Sequence, residues 1–461
     1  ESVLPELKAA FDREDQDREI LIRLVTVCGR IGGDEVATLL KDKIDFPDVD
    51  VRTEVLRSLS RCGCRAQSEE EVRLIQGQIK AEVGQAAWTL AALGDIGDDA
   101  AVSLLQKALT DTLAQNRGRL FYLLSFIYDA PSILRARDNL THASAEKRAY
   151  ALEVIDVLIS KELKGILLPL LQDLAPNQQL QKLSTFFPQP KLSRDQRLRK
   201  IIAGPDEQLN PWTKACALYA VGRLSATELS ETVVTALSAP DSLVRETAIW
   251  TLFRLDPAGY HSHISKLRHD PSPQVARAVG QVSIPAAETV RKGGEVMLST
   301  IEKVIVLKTV SIFAGTPDEI LAEVASLLEE VKLREGETIF EKGDAGDCMY
   351  IIVDGKVRVH DGGRTLNYLG EGDVFGEMAV LDPEPRLASV TAVEDTRLFR
   401  LDQEPFYELM DDRIEVARGI IHVLSQHLRA RVRDLNDLRT RLEALERSSE
   451  IKTEQEDDLR R

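Results

Sequence analysis

The chain has 461 residues, more than one hydrophobic core usually organises, so we expect two or three domains. Hydrophobic residues at 43% and charged residues at 29% are typical of a folded globular protein, not a disordered one. The formal net charge of −16 argues against a surface that wraps nucleic acid, because phosphate binding needs basic stripes. No apolar run approaches the ~18 to 20 residues of a membrane span, and no secretory leader is recognisable. The sequence begins with Glu1 and not with Met, so we interpret it as a piece of a longer protein.

The five cysteines are odd in number and scattered along the chain. Cys28 and Cys216 lie in apolar settings typical of buried thiols in a reducing compartment, so we expect a cytoplasmic location. Cys62 and Cys64 form the one close pair. A lone Cys-x-Cys with no histidine or second cysteine pair nearby is weak evidence for zinc, and we predict no metal site.

Residues 1–285 are predicted to be almost wholly helical. Apolar residues recur at three- and four-residue spacing, and Gly, Asp or Pro turns interrupt them at intervals of roughly 12 to 20 residues. An Asp-x-x-Val-Arg signal recurs at helix starts, at residues 48–52 and 241–245, with a looser relative at 271–277. We expect the Asp to cap its helix, the Val to seal against the preceding helix pair, and the Arg to bond to the neighbouring repeat's turn. This pattern resembles HEAT repeats and predicts an all-α solenoid, with residues 176–210 as an irregular repeat or insertion; a non-repetitive bundle is the alternative.

Three further regions follow the solenoid. Residues 286–303 are predicted to form a linker helix, and residues 303–333 to form a helix, a turn and a second helix. Residues 337–401 switch to two-residue alternation with Gly and Asp turns, which predicts short antiparallel strands. Tyr350 and Ile352 alternate as expected for a half-buried strand.

After Asp402 the pattern is helical to the end. Apolar residues alternate at spacings of three and four, which is an a/d heptad with one polar break at Arg431. The apolar heptad positions are Ile421, Leu424, Leu428, Leu435, Leu438, Leu442 and Leu445. We predict a C-terminal coiled-coil-like helix with a charged tail over residues 434–461. Residues 421–445 either pair with a second copy of the chain, giving a homodimer, or pack on the protein's own body.

The stretch from Phe375 to Val390 has the composition of an anion site. Gly376 allows a close backbone approach, Glu377 opens a helical turn, and Arg386 presents a planar guanidinium that suits a phosphate. The carboxylate of Glu377 can accept a hydrogen bond from a sugar hydroxyl. Together with the exposed helix start and the guanidinium, it predicts a site for a phosphorylated ribose.

This stretch resembles the phosphate-binding cassette of cyclic nucleotide-binding domains. Residues 343–352, 355–359 and 369–373 are similar to the β-roll of the same family. The resemblance implies an α+β domain over residues 304–433, a β-roll with flanking helices. It implies that Glu377 binds the ribose 2′-hydroxyl, that Arg386 binds the cyclic phosphate, and that two backbone amides complete the cradle, those of Ala379 and Leu387. The predicted site residues are Phe375, Gly376, Glu377, Met378, Ala379, Arg386, Leu387 and Ala388.

Leu387 departs from the family pattern, in which Ala, Ser or Thr usually follows the arginine. The backbone amide survives this change, but a hydroxyl that could contact guanine does not. We therefore expect cAMP in preference to cGMP, with a weakened or emptied pocket as the alternative.

Four further stretches, residues 119–129, 135–140, 210–219 and 297–303, are similar to the soluble part of certain bacterial proteins. Those proteins join an ATP/ADP-translocase-like membrane domain to HEAT repeats and a cyclic nucleotide-binding domain. This resemblance implies a link to transport, with the chain as the cytoplasmic part of a membrane protein.

The predicted function is a cAMP-sensing regulatory module whose helical repeats relay the signal to a partner or an upstream transmembrane domain. No Ser/His/Asp or Cys/His set and no phosphate loop is recognisable, so we predict no enzyme. A transcription factor would need a helix-turn-helix after the last helix, and only a coil and a tail remain there. The alternative is a scaffold whose degenerate fold binds no ligand.

Overall fold

The computed structural model describes residues 4–11, 13, 18–205, 209–257, 259–282, 297–381 and 384–412, and single positions at 417, 421, 425, 428–429, 432–433, 436 and 439. These residues fall into two compact units, Glu1–Ile301 and Glu302–Arg461. The predicted boundaries at residues 285 and 303, and the end of the second domain at residue 433, stay predictions.

The first unit is helical. Its α-helices are α1 Leu4–Phe11, α2 Arg18–Ile31, α3 Asp34–Lys41, α4 Val49–Arg61, α5 Glu69–Ile96, α6 Ser103–Ile127, α7 Ala130–Leu140, α8 Ala145–Leu158, α9 Lys161–Leu171, α10 Pro176–Leu183, α11 Arg194–Ala203, α12 Pro211–Leu224, α13 Ser230–Ala236, α14 Ser242–Leu255, α15 His261–Ile264 and α16 Pro273–Val282. Short 3-10 turns lie at Ala100–Val102, Thr227–Leu229 and Ser265–His269. Among the helices described, none combines the length and the hydropathy needed to cross a bilayer.

The recurring aspartates begin α4 and α14 as predicted. The side chains of Asp48 and Asp241 each accept hydrogen bonds from the backbone amides two and three residues further on, which satisfies donors that a helix leaves free. Val51 and Val244 are 1% and 2% exposed, so the valine of each signal is sealed in the core. The sequence signal therefore marks true helix starts.

The arginine of each signal donates hydrogen bonds both to the residues before its own helix and to a later segment of the chain. Arg245 donates from Nε and Nη2 to Asp270, at 2.9 and 2.8 Å, in the turn before α16, which confirms the predicted bond to the neighbouring repeat. Arg52 instead reaches Glu82 inside α5, at 3.3 Å. Each arginine also donates to two carbonyls that precede its own cap, a contact that the sequence did not indicate.

Glu82 joins three helices from within the core. Its carboxylate accepts from Arg119 Nε at 2.9 Å and Asn116 Nδ2 at 2.6 Å, besides Arg52. Arg119 is 1% and Glu82 3% exposed. Burial lowers the pKa of the Arg52 guanidinium, and Glu82 opposes that shift. Helices α4, α5 and α6 are thus linked by two buried cations that share one carboxylate.

The predicted irregularity at residues 176–210 is real. Helices α10 and α11 are separated by a ten-residue segment without helix, residues 184–193. Within it the ring of Phe186 approaches Gly165 of α9, and that of Phe187 approaches Gly84 of α5. The segment therefore folds back onto the preceding helices.

The second unit is a β-roll with flanking helices. Its helices are α17 Thr300–Leu307, which begins at the end of the first unit, α18 Asp318–Leu327, α19 Glu377–Leu381 and α20 Gln403–Asp412, with a 3-10 turn at Ser311–Phe313. Its strands are β1 Glu329–Leu333, β2 Thr338–Phe340, β3 Cys348–Asp354, β4 Val357–Asp361, β5 Arg364–Leu369, β6 Val374–Phe375, β7 Ser389–Ala392 and β8 Thr396–Asp402. They form two antiparallel sheets, ordered β1-β8-β3-β6 and β2-β7-β4-β5.

The structure corrects two details of the predicted strands. The end of the predicted second helix is strand β1, because Val331 and Leu333 alternate toward the roll's core and the strand pairs with β8. Strand β3 is buried on both faces and not on one. Ile351 is fully buried on the face opposite Ile352, and α19 packs against this strand. Alternation in the sequence cannot show what covers the second face.

Helix α20 confirms that the chain turns helical after Asp402. Of the heptad positions, only Ile421 and Leu428 are described, and both are exposed, at 63% and 66%. The other heptad positions and the tail lie outside the described residues, so the coiled coil stays a prediction.

Candidate functional site

The predicted cassette begins where β6 ends. Phe375 is buried at 5% exposure, and Gly376 turns the chain with φ +75° into the single helical turn α19. Glu377 is the first residue of α19. A Cβ at Gly376 would lie 2.5 Å from Arg386 Nη1 and 3.3 Å from the carbonyl oxygen of Cys348. Glycine is therefore required at this position for two reasons: the backbone conformation disfavours other residues, and a Cβ would not fit.

The backbone of Arg386 is fixed by the turn that follows β2. The Arg386 amide donates to the Asp344 carbonyl at 2.8 Å, and the Arg386 carbonyl accepts from the Gly343 amide at 2.8 Å. The carboxylate of Asp344 in turn accepts from the Glu341 amide at 2.8 Å, so it caps the turn. The arginine is consequently placed by a segment more than forty positions away in the sequence.

The side chain of Arg386 is buried, at 6% exposure. Its Nη2 donates to the Cys348 carbonyl at 2.8 Å and lies 3.3 Å from the Cys348 sulphur, while Nη1 makes a long contact of 3.4 Å to the Gly376 carbonyl. Its Nε has no acceptor in the described part of the chain. Within the described ranges, no carboxylate lies within ion-pair distance of this guanidinium. A buried cation without an anion is costly, so the chemistry of this side chain suits an anionic ligand.

The structure brings only part of the predicted set to the arginine. Gly376 touches it, and Phe375 is linked to it through an aromatic cluster with Phe340. Glu377 is half-buried, and among the described residues its carboxylate has no bonding partner. Met378 and Leu387 are exposed, at 60% and 70%, and Ala388 is half-buried. Ala379 lies in α19, and its side chain is outside the described atoms.

Sequence reasoning missed three contributors. Phe340 in β2 has its ring centroid 4.2 Å from Arg386 Cζ, and Cys348 in β3 accepts from Nη2. Gln403, the first residue of α20, donates from Nε2 to the Val380 carbonyl of α19 at 3.0 Å. Cys348 lies within the residues similar to the family's β-roll. No local sequence pattern, however, distinguishes a backbone carbonyl that accepts from an arginine from one that accepts from a neighbouring strand.

The tyrosine beside the cassette is held neutral. Burial is the main cause that raises the pKa of Tyr350 well above its ordinary value, and the hydrogen bond between the Tyr350 hydroxyl and the Cys348 sulphur adds to it, the two atoms lying 3.5 Å apart. Tyr350 therefore adds no negative charge beside Arg386 at physiological pH.

The close cysteine pair has no metal-site geometry in the described part of the chain. No three His, Cys, Asp or Glu side chains converge there. Burial raises the pKa of both Cys62 and Cys64, which keeps the thiols protonated and disfavours the thiolate that zinc needs.

Comparison with known families agrees with both halves of the predicted layout. The family model described as the cyclic nucleotide-binding domain matches residues 330–413. The model described as the PBS lyase HEAT-like repeat matches residues 84–111, which span the end of α5 and the start of α6. The matched repeat lies between the two Asp-x-x-Val-Arg signals.

Three relatives resemble the second unit. The CRP-like cAMP-activated global transcriptional regulator of Mycobacterium tuberculosis is 33% identical over 138 residues, 29% of this chain and 62% of the relative. The cyclic AMP receptor protein of Thermus thermophilus is 38% identical over 128 residues, 27% of this chain and 59% of the relative. The cGMP-dependent protein kinase of Toxoplasma gondii is 37% identical over 105 residues, 23% of this chain and 10% of the relative.

The chain thus spans about six-tenths of the length of the two bacterial relatives. The similarity to translocase-like proteins stays a prediction. By its two antiparallel sheets, its cassette and its family match, the second unit is a cyclic nucleotide-binding domain, and it follows a helical region that carries a HEAT-like repeat.

Proposed function

We propose that this chain is a regulatory module that binds a cyclic nucleotide, and that it binds cAMP in preference to cGMP. The observation that carries the proposal is the buried Arg386 guanidinium, whose Nε has no acceptor and which faces no carboxylate among the described residues. A cyclic phosphate supplies the missing anion and accepts from the planar fork.

The remaining groups would hold the sugar. Glu377 stands at the start of α19, next to Gly376, which contacts the arginine. Its half-buried carboxylate can accept a hydrogen bond from a ribose hydroxyl, as the family resemblance implies. The amides of Ala379 and Leu387 would complete the cradle by the same resemblance.

The preference for cAMP rests on Leu387. Its side chain is 70% exposed and carries no hydroxyl that could contact guanine. The two bacterial relatives carry cAMP in their names, whereas the Toxoplasma relative is a cGMP-dependent kinase.

Helix α20 is the element best placed to receive the signal. The Gln403 amide donates to the Asp347 carbonyl at 2.8 Å, and its side chain holds the Val380 carbonyl of α19. A ligand that shifts α19 would therefore shift α20 and the helix predicted to follow it, in proportion to its differential affinity for the two states. We place this chain in the cytoplasm, where its helical repeats would pass the change to a partner or to an upstream, translocase-like membrane domain. Pairing through residues 421–445 would couple two sites.

The test is calorimetric titration of the whole chain with cAMP and cGMP, repeated on Arg386→Ala. Two charge-assisted hydrogen bonds of about 1.5 to 3 kcal/mol each predict a loss of ~10² to 10⁴ in affinity. Arg364→Ala is the matched control, because it removes the same charge from exposed strand β5 of the same domain and should leave affinity unchanged.

Each outcome decides between the candidate functions. Binding of cAMP that Arg386→Ala loses and Arg364→Ala keeps supports the sensor. Equal binding by Arg386→Ala refutes the assignment of the pocket. No heat with either nucleotide favours the scaffold with an inert roll, and tighter binding of cGMP refutes the role given to Leu387.

A further inference from the structure

Phe340 and Arg386 are in contact inside the roll. Arg386 Cζ lies 4.2 Å from the ring centroid, whereas the other cation–ring distances in the described part of the chain run from 5.1 to 5.9 Å. A guanidinium at this distance is attracted by the ring's quadrupole, and the attraction grows where water is excluded. We propose that Phe340 is a positioning residue that sets the plane of the Arg386 guanidinium for its anionic ligand. This inference rests on the proposed function.

A break in strand pairing aims Phe340 at the arginine. Strand β2 pairs with β7, and the register shifts between Thr338 and Phe340. Regular alternation would send Ile339 and Phe340 to opposite faces, yet both pack on the core of the roll. A bulge re-aims a side chain in this way, so the irregularity has a structural consequence at the site.

The ring of Phe340 is itself held by two aromatic neighbours. Its centroid lies 6.1 Å from that of Tyr350 and 6.0 Å from that of Phe375, and these two rings stack at 5.3 Å. Phe375 immediately precedes Gly376 in the cassette. The ring therefore has a fixed position relative to the segment that carries the site.

The ring and the hydrogen bonds use different parts of the guanidinium. The Phe340 ring contacts the guanidinium at Cζ, whereas the Cys348 carbonyl accepts a hydrogen bond from Nη2. The Nε–H has no acceptor among the residues that the structure describes. The ring contact thus leaves Nε–H for a phosphate, and a guanidinium that is already oriented loses less conformational entropy when the phosphate binds.

The experiment titrates the whole chain with cAMP and compares Phe340→Leu, Phe340→Tyr and Phe399→Leu, with thermal unfolding of each. Loss of the ring contact should weaken binding about 2- to 30-fold in Phe340→Leu, and the retained ring of Phe340→Tyr should restore it. Phe399 is fully buried in β8 of the same unit, so its leucine variant controls for general loosening of the roll. If Phe340→Leu does not fold, Phe340→Met takes its place, because methionine fills an irregular gap without a ring.

The outcomes separate this inference from the proposed function. A folded Phe340→Leu or Phe340→Met that binds as tightly as the unmodified chain overturns the positioning role. Equal weakening by Phe399→Leu, or by Phe340→Tyr, overturns it as well, because the effect would then be general softening or lost shape. If the unmodified chain binds neither nucleotide, the proposed function fails, and the positioning role fails with it.

Discussion

Gly376→Ala tests whether the geometry of the cassette controls the arginine. A methyl group at this position meets two obstacles. The backbone has φ +75°, where an L-residue costs about 1 to 2 kcal/mol. The new Cβ would also lie 2.5 Å from Arg386 Nη1, about 1 Å inside ordinary contact. The guanidinium must therefore move away from its place against the Cys348 carbonyl.

Two separate magnitudes follow. Backbone strain of about 1 to 2 kcal/mol should lower the unfolding midpoint of the second unit by about 2 to 8 °C. Displacement of the guanidinium should remove at least one charge-assisted hydrogen bond to the ligand. At about 1.5 to 3 kcal/mol, that weakens cAMP binding ~10- to 150-fold.

Gly336→Ala separates the two effects. Gly336 has φ +85°, and a Cβ there would meet nothing within 4 Å. This control should lose similar stability and keep its affinity for cAMP. Thermal unfolding and calorimetric titration of both variants give the comparison. Equal affinity losses in the two variants, or none in Gly376→Ala, would refute the claim that Gly376 makes room for Arg386.

Two predictions concern the helical unit. Glu82→Gln should destabilise it by about 3 to 5 kcal/mol in denaturant unfolding, because Arg119 would stay buried without its anion. Glu162→Gln, whose partner Lys80 is exposed, should cost below about 1 kcal/mol, and equal costs would contradict this reasoning. Burial raises the pKa of Asp270, but hydrogen bonds from Arg245 and the Ser272 amide outweigh it and lower the pKa below its ordinary value. The stabilisation that the Asp270 carboxylate provides should then be complete above the unfolded-state pKa of about 3.9, and it should vanish as the pH falls through the folded-state pKa. The difference in the free energy of unfolding between the unmodified chain and Asp270→Asn should therefore narrow below about pH 4. A difference that is constant with pH contradicts this prediction.

The cassette was predictable from the sequence because the residues that define it lie close together along the chain. Gly376 and Arg386 lie ten positions apart, and the structure brings them into contact. The caps at Asp48 and Asp241 were predictable for the same reason, since a helix start needs a side-chain acceptor within three residues.

The missed features depend on distant segments. Strand β1 consists of five residues whose neighbour in the sheet, β8, lies some seventy residues later, so its helical interpretation had no local contradiction. Phe340 follows Ile339, and two adjacent apolar residues do not reveal that a bulge lets both of them pack on the core. The acceptor for Arg386 is a backbone carbonyl, which every residue carries.

The contacts of Arg386 limit how a ligand could act on this domain. Its Nη2 already donates to the Cys348 carbonyl, so a phosphate that accepts from Nε adds a contact without breaking the anchor on β3. The arginine can therefore stay in place, and a ligand at 100 times its dissociation constant would stabilise the roll by about 2.7 kcal/mol. A change of state must then arise elsewhere, where binding favours one arrangement over another. Helix α19 meets this requirement: it carries Glu377 at its first residue, and its Val380 carbonyl is held by Gln403 of α20.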